Sequence, residues 1–366
     1  RKNEHAFWPH IGQEDRGGIT QVSQYARLTG LRDLRKGRHI EVKPFAITGA
    51  TRPANGPTDT EVDAGLDVKA ALSSNLTLDL TYNTDFAQVE ADNVEINLTR
   101  FDLFFPEKRE FFLERAALFQ FGAQRETEVF FSRRVGLDSD IVGGGRLTGE
   151  VGPFSVGALS LATDYADPAA PQGQVTEWSS VARLQGNVRP RTTVGGIVTS
   201  KDGGGEYNRV VGADFRTRFW GSSSLFIWGA DVADSRFDAA TGSTFAGQAE
   251  LMLQNDRYFM EITRTEIGED FDPALGFVPP PDQRRWGGQV GFRPRFETSD
   301  WARQLTTSFG ANHITGIDGD KQSHFRRLSS RLDFQWGDNL TFDIAEQFER
   351  LEVPDFINGR QLPADD

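Results

Sequence analysis

Residues 61–83 read EVDAGLDVKAALSSNLTLDLTYN, and this stretch decides the fold. Val62, Ala64, Leu66, Val68, Ala70 and Leu72 share one parity, while Glu61, Asp63, Asp67 and Lys69 fall on the other. After Ser73-Ser74-Asn75, Leu76, Leu78, Leu80 and Tyr82 alternate with Thr77, Asp79, Thr81 and Asn83. A period of two puts apolar side chains on one face of a strand and polar ones on the other. A short polar turn between two such strands predicts an antiparallel hairpin.

The pattern recurs along the chain. Val211, Ala213, Phe215 and Phe219 alternate with Asp214, Arg216 and Arg218; Leu328, Leu332, Phe334 and Trp336 alternate with Arg331, Asp333 and Gln335. Roughly sixteen segments of about 9–14 residues carry it, the length a tilted strand needs to cross a hydrocarbon layer. Tight connections (Ser73–Asn75, Gly152-Pro153, Gly221-Ser222, Asn255-Asp256, Gly337–Asn339) alternate with longer ones at 164–176, 201–206, 234–243, 268–283 and 316–324. Short turns on one rim and long loops on the other are the asymmetry of outer-membrane barrels. The expected fold is therefore all-β, an antiparallel transmembrane β-barrel of about 16 or more strands whose bore is too wide for side chains to fill. A soluble propeller also has many short strands, but no unit of about 40–50 residues repeats here.

Composition agrees. Only 37% of the 366 residues are hydrophobic, and no run approaches the roughly 18 apolar residues of a helical span. Half of each barrel strand faces water, so such a chain looks soluble on average. No composition break divides it, and residues 1–366 read as one domain. The chain begins at Arg1 without Met, which suggests processing or a missing N-terminal part. Cysteine is absent, excluding disulfides, thiolate metal sites and Cys nucleophiles. A net charge of −13 argues against nucleic acid as a partner. Trp178, Trp220, Trp228, Trp286 and Trp336 read as members of interfacial aromatic girdles. A first strand is expected within Val22 to Leu34.

Alternation stops after Asp85. Residues 86–134 concentrate phenylalanine (Phe101, Phe104, Phe105, Phe111, Phe112, Phe119, Phe121, Phe130, Phe131) among charges of both signs. That mixture makes a poor lipid-facing strand and a good compact insert, so the stretch is expected to fold inward as a lumenal plug or constriction.

The same region carries a resemblance. LDLTYNTDFAQVEADNVEINLTRFDLFFPEKREFFLE (78–114), FQFG (119–122), VFFSRRVG (129–136) and FDPALGFVPPPDQRRW (271–286) resemble a family of bacterial outer-membrane proteins. Its members join an N-terminal carbohydrate-binding-like module to a C-terminal β-barrel domain of unknown function. The resemblance implies an outer-membrane location in a Gram-negative bacterium, contact with outer-membrane lipid and further chain beyond Asp366. It brings no reaction. The module is not among these residues, so its sugar-binding role does not carry over.

The candidate constriction residues are Glu107, Lys108, Arg109, Glu110 and Glu114 in the insert, with the basic pairs Arg133-Arg134 and Arg284-Arg285. As a functional set they narrow or select within a pore. As a structural set they pair internally, the basic pairs with Asp85, Glu90, Asp92 and Glu95. Asp270/Asp272 and Asp318/Asp320 lack the full calcium-loop spacing and read as turn chemistry. The five His show no metal-ligand spacing and no GxSxG elbow occurs, so no catalytic residue, metal or cofactor is expected; the alternative is a membrane hydrolase that assembles His and Ser from separate strands. His313, sharing a face with Phe309 and Ala311, reads as an interface residue. Two functions follow: a pore or transporter for small or carbohydrate-derived solutes, or a plugged docking barrel that anchors a periplasmic or surface partner.

Overall fold

The computed structural model describes residues 25–26, 29–30, 39–51, 59–83, 103–137, 139–167, 173–236, 242–350, 355–357 and 360–362. The hairpin of the opening stretch is present: β2 (Asp59–Ala71) pairs with β3 (Leu76–Tyr82), and β1 (Ile40–Thr51) precedes them. Two short strands, β4 (Gly122–Ala123) and β5 (Thr127–Glu128), lie in the non-alternating segment. Then follow β6 (Asp140–Val151), β7 (Phe154–Ala166), β8 (Gln174–Arg189), β9 (Thr192–Gly203), β10 (Glu206–Phe219) and β11 (Ser223–Asp234). The last long strands are β12 (Phe245–Gln254), β13 (Tyr258–Ile267), β14 (Gln283–Phe292), β15 (Ala302–Thr315), β16 (Lys321–Phe334) and β17 (Asn339–Glu349). A small hairpin, β18 (Asp355–Ile357) with β19 (Arg360–Leu362), ends the series.

All strands from β1 to β17 except β4 and β5 form one antiparallel sheet in chain order. It has 15 strands among the described residues, against the sixteen or more expected. Along one rim the connections are turns of two to four residues, apart from 293–301. The other rim is where β3 leads to β6, β7 to β8, β11 to β12, β13 to β14 (through 268–282) and β15 to β16 (through 316–320). One expectation fails on that rim: the connection at 201–206 is not a long loop. Gly204-Gly205 alone joins β9 to β10, and both have positive φ, which a type I′ turn requires and glycine adopts without strain. The expected strand within Val22 to Leu34 has only residues 25–26 and 29–30 among those described.

The two faces of the sheet differ. One shows apolar side chains in register from strand to strand: Val290, Phe309, Leu328 and Ile344 form a single cross-strand row, and all four are exposed. Trp220, Tyr258, Trp301 and Trp336 are exposed near the tight-turn rim, and Trp178, Tyr207 and Trp286 near the other. Trp228 does not belong with them. It lies on the opposite face, 2% exposed, donates through Nε1 to Gln248 and stacks edge-on with Phe121. Its parity matches Asp214 across the ladder, so it faces the covered side.

That covered face carries residues 103–137 of the segment between β3 and β6. Glu114 pairs with Lys69 on β2, while Glu126 pairs with Arg285 on β14 at 3.3 Å. The insert thus reaches side chains on strands that stand ten steps apart in the sheet order. The core is the seam between insert and sheet: Phe112, Phe119, Phe121, Val129 and Phe130 pack with Leu159, Leu161, Val181, Ile197 and Val210 from β7 to β10.

Candidate functional site

The insert is held by its own charges first. Arg109, before the single helical turn α1 (Glu110–Leu113), donates to both Glu107 carboxylate oxygens at 2.8 and 2.7 Å. Its remaining donors reach the carbonyls of Val135 and Ser132, both at 2.6 Å, and the guanidinium lies over the Phe112 ring. Ser132 Oγ completes the knot by donating to Glu107 at 2.7 Å. Burial pushes the Glu107 carboxyl up, but Arg109, Ser132 and a backbone N–H together hold it below the usual range.

A second network ties the insert to the sheet. Arg146 on β6 donates to Asp79 on β3 at 2.8 Å and to the Glu114 carbonyl at 2.8 Å, with its guanidinium over the Phe111 ring. Glu114 lies below the ordinary carboxylate range, chiefly because Lys69 donates to it. Glu110 pairs with Lys43 at 3.7 Å. Beyond α1, Arg115 reaches the carbonyls of Thr148 and Asn75 beside a tight turn, so the insert crosses the covered face from one rim to the other.

On its far side the insert meets the loop 268–282. Glu128 and Phe277 exchange both backbone hydrogen bonds at 2.8 Å, Phe131 N–H donates to Leu275, and Arg134 Nε to Gly276. Phe104, Phe131 and Phe277 form a three-ring cluster with centroids 5.1–5.6 Å apart. Two of the motifs quoted above, VFFSRRVG and FDPALGFVPPPDQRRW, thus pack together. Asn208 locks the loop in turn, accepting from Ala274 N–H at 2.9 Å and donating to the Asp272 carbonyl.

The sequence-selected charges do not converge on one point. Glu107 and Arg109 pair with each other, Glu110 with β1, and Glu114 with β2 and β6; the Lys108 backbone N–H donates to Glu107. Arg133 donates to the Pro106 carbonyl, and Arg284 pairs with Glu266 at 3.1 Å. Asp85, Glu90, Asp92 and Glu95, with the rest of 84–102, lie outside the described residues. Asp272 pairs with Arg236, Asp270 accepts from Gly242 N–H, and Asp318 from Asp320 N–H. No group of three or more potential metal ligands occurs among the described residues.

What the insert does leave is space. A polar cavity of about 690 Å³ lies between residues 117–128 and the covered face of β8 to β15. At its edge Arg183 and Asp214 form a buried two-point ion pair at 2.7 and 2.9 Å. Arg216 and Arg218 continue β10 into the cavity, the former over the Phe226 ring at 4.2 Å. Glu250 on β12 and Glu261 on β13 face them, and Gln289 donates to Glu261 at 3.3 Å. Glu128 also borders the cavity, its carboxyl pushed up by burial although Arg125 N–H donates to it. A second cavity, about 370 Å³, lies under Phe104 and Phe277. The two share Glu126, Arg285 and Asn312, so the Glu126–Arg285 pair stands on their common border. Sequence reasoning selected Arg285 but passed over Arg216, Arg218, Glu250 and Glu261. Charged residues on the polar parity of four or more strands were the signal.

Seating of the insert depends on one small residue. A Cβ added to Gly212 on β10 meets the Phe121 ring at 2.6 Å, and that ring is held between Trp228 and Arg183. We expect Gly212→Ala to displace Phe121 and cost about 1–3 kcal/mol by overpacking, read as a lower unfolding midpoint with changed Trp fluorescence. An unchanged midpoint counts against this packing.

Fold and site define an all-β protein: one large antiparallel sheet, almost no helix, and an aromatic insert with a polar cavity on the covered face. Residues 39–142 match the model of a domain of unknown function, DUF5916. No curated protein matches the chain. Among solved structures it is similar to Pseudomonas aeruginosa OccK11 (OpdR), at 14% identity over 85% of this chain and 80% of that one, with a TM-score of 0.33.

Proposed function

We propose that the sheet closes into an outer-membrane barrel that passes small polar solutes, carbohydrate-derived ones among them, past the insert acting as an internal constriction. The exposed apolar rows with aromatic residues at both rims suit a lipid-facing wall. The covered polar face suits a water-filled bore. β1 and β17 occupy odd positions in the order and run the same way. An antiparallel seam therefore takes one strand more, which gives the even number usual for such barrels.

The observation that carries the transport reading is the pair of cavities meeting at Glu126 and Arg285. Both side chains are partly exposed (36% for Arg285, 52% for Glu126), and the pair stands between a polar space and a more apolar one rather than in a packed core. Charges at a constriction set what passes. In proteoliposomes the protein should admit glucose above the level of empty vesicles, and Arg285→Ala should roughly double single-channel conductance by joining the cavities. Flux equal to that of empty vesicles, unchanged in Arg285→Ala, would leave the docking reading in its place.

A further inference from the structure

The larger cavity is charged in a particular way. Arg183 with Asp214 and Arg285 with Glu126 are internally neutral pairs. Five charges on its walls remain outside any ion pair among the described residues: Glu128 on the insert, and Arg216, Arg218, Glu250 and Glu261 on the sheet. Those on the sheet are segregated. The two cations project from β10, and the two carboxylates from β12 and β13.

Register explains why they stay apart. Arg216 lies opposite Phe226, which lies opposite Glu250, so an aromatic ring stands between cation and anion in that row. The Arg216 guanidinium rests on this ring, 4.2 Å from its centroid, instead of reaching the carboxylate. Arg218 lies opposite Ser224, then Met252, then Glu261, so three strand steps separate the charges of the second row. The wall thus presents a positive edge and a negative edge, roughly 10–14 Å apart at strand spacing, with Phe226 and Ser224 of β11 between them.

We infer that this cavity binds a small zwitterion of the amino-acid and short-peptide class, its carboxylate at Arg216 and Arg218 and its ammonium at Glu250 and Glu261. An extended tripeptide spans about 10 Å, its backbone amides face Gln248 and Thr263 on the same wall, and its side chains meet the Phe226 ring. Arg is suited to the carboxylate end because its planar fork binds two oxygens at once. The inference rests on the cavity being reached by solutes, as the transport reading holds.

The test is calorimetric binding of tri-alanine to the detergent-solubilised protein, beside its N-acetyl, C-amide and doubly capped forms. Tri-alanine should bind best, each single cap should weaken binding at least about tenfold, and the doubly capped peptide should bind weakest. Arg216→Gln with Arg218→Gln should abolish the penalty of the C-amide cap and leave that of the N-acetyl cap. Glu250→Gln with Glu261→Gln should do the reverse. The capped series needs only the wild-type protein, so it stands even where a variant fails to fold. Doubly capped and free tri-alanine binding alike, or each variant pair weakening all four peptides equally, would overturn the assignment. Glucose flux separates the two ideas: without it the transport reading fails, while the peptide series still decides the ligand.

Discussion

Replacing Arg109 by alanine should loosen the insert by about 3–5 kcal/mol, the cost of leaving one member of a buried pair alone. Glu107 would lose both guanidinium contacts, and the carbonyls of Ser132 and Val135 would lose their donors. Faster amide exchange across 103–137 with the long strands still protected is the expected readout; unchanged exchange would contradict the role given to Arg109. The pH response should also change sign. In the wild type the Glu107 carboxyl is lowered in the folded state, so its stabilisation is present above the unfolded value, about 4.3, and is lost as pH falls through the folded one. In Arg109→Ala the carboxyl is buried without its cation and is raised instead. Acidification from pH 7 toward 4 should then steady the variant's insert while weakening that of the wild type below about pH 4.

The second large effect lies at Arg183. Arg183→Ala strands the Asp214 carboxylate on the covered face, where Arg183 Nη1 and Asp214 Oδ1 now stand 2.7 Å apart. We expect a loss of about 3–5 kcal/mol in urea unfolding followed by Trp fluorescence. Arg183→Met with Asp214→Leu should recover most of it, since an apolar replacement of both partners removes the burial penalty along with the attraction. Equal losses in the single and double variants would mean that the pair is not what holds this region. Phe121 lies 5.2 Å from the guanidinium, so the methionine keeps a contact for the ring.

Much of the fold was legible because hairpins declare themselves locally. The alternation of 61–83 gave β2, the Ser73–Asn75 turn and β3, since register in a one-sided strand follows from which parity is apolar. The strand boundaries around the insert were legible for the opposite reason, the loss of period two between Tyr82 and Asp140. Trp228 misled because its neighbours Phe226 and Ala230 are apolar too, making the covered parity of β11 look lipid-facing. The cause is the insert: where it lies, inward positions are apolar, and β7 shows it as well, with Leu159 and Leu161 buried beneath Phe119 and its partners. A strand apolar on both parities is the trace of a covered inner face. The cavity charges were hidden differently. Arg216, Phe226 and Glu250 lie on three strands, and only the ladder places them in one row.

The backbone bridge between Glu128 and Phe277 joins positions 149 residues apart, and it orders events during assembly. The insert can settle on β2, β3 and β6 early, because those strands flank it in the chain. Its other side has no seat until β13 and β14 have brought the loop 268–282 into position. Until then the Phe104 and Phe131 rings lack Phe277, and the chain passes through a half-built stage with that aromatic surface bare. Exposed aromatic surface on a slow, long-range route is where folding chains associate wrongly. The same bridge that secures the finished insert makes the last third of the chain responsible for hiding it.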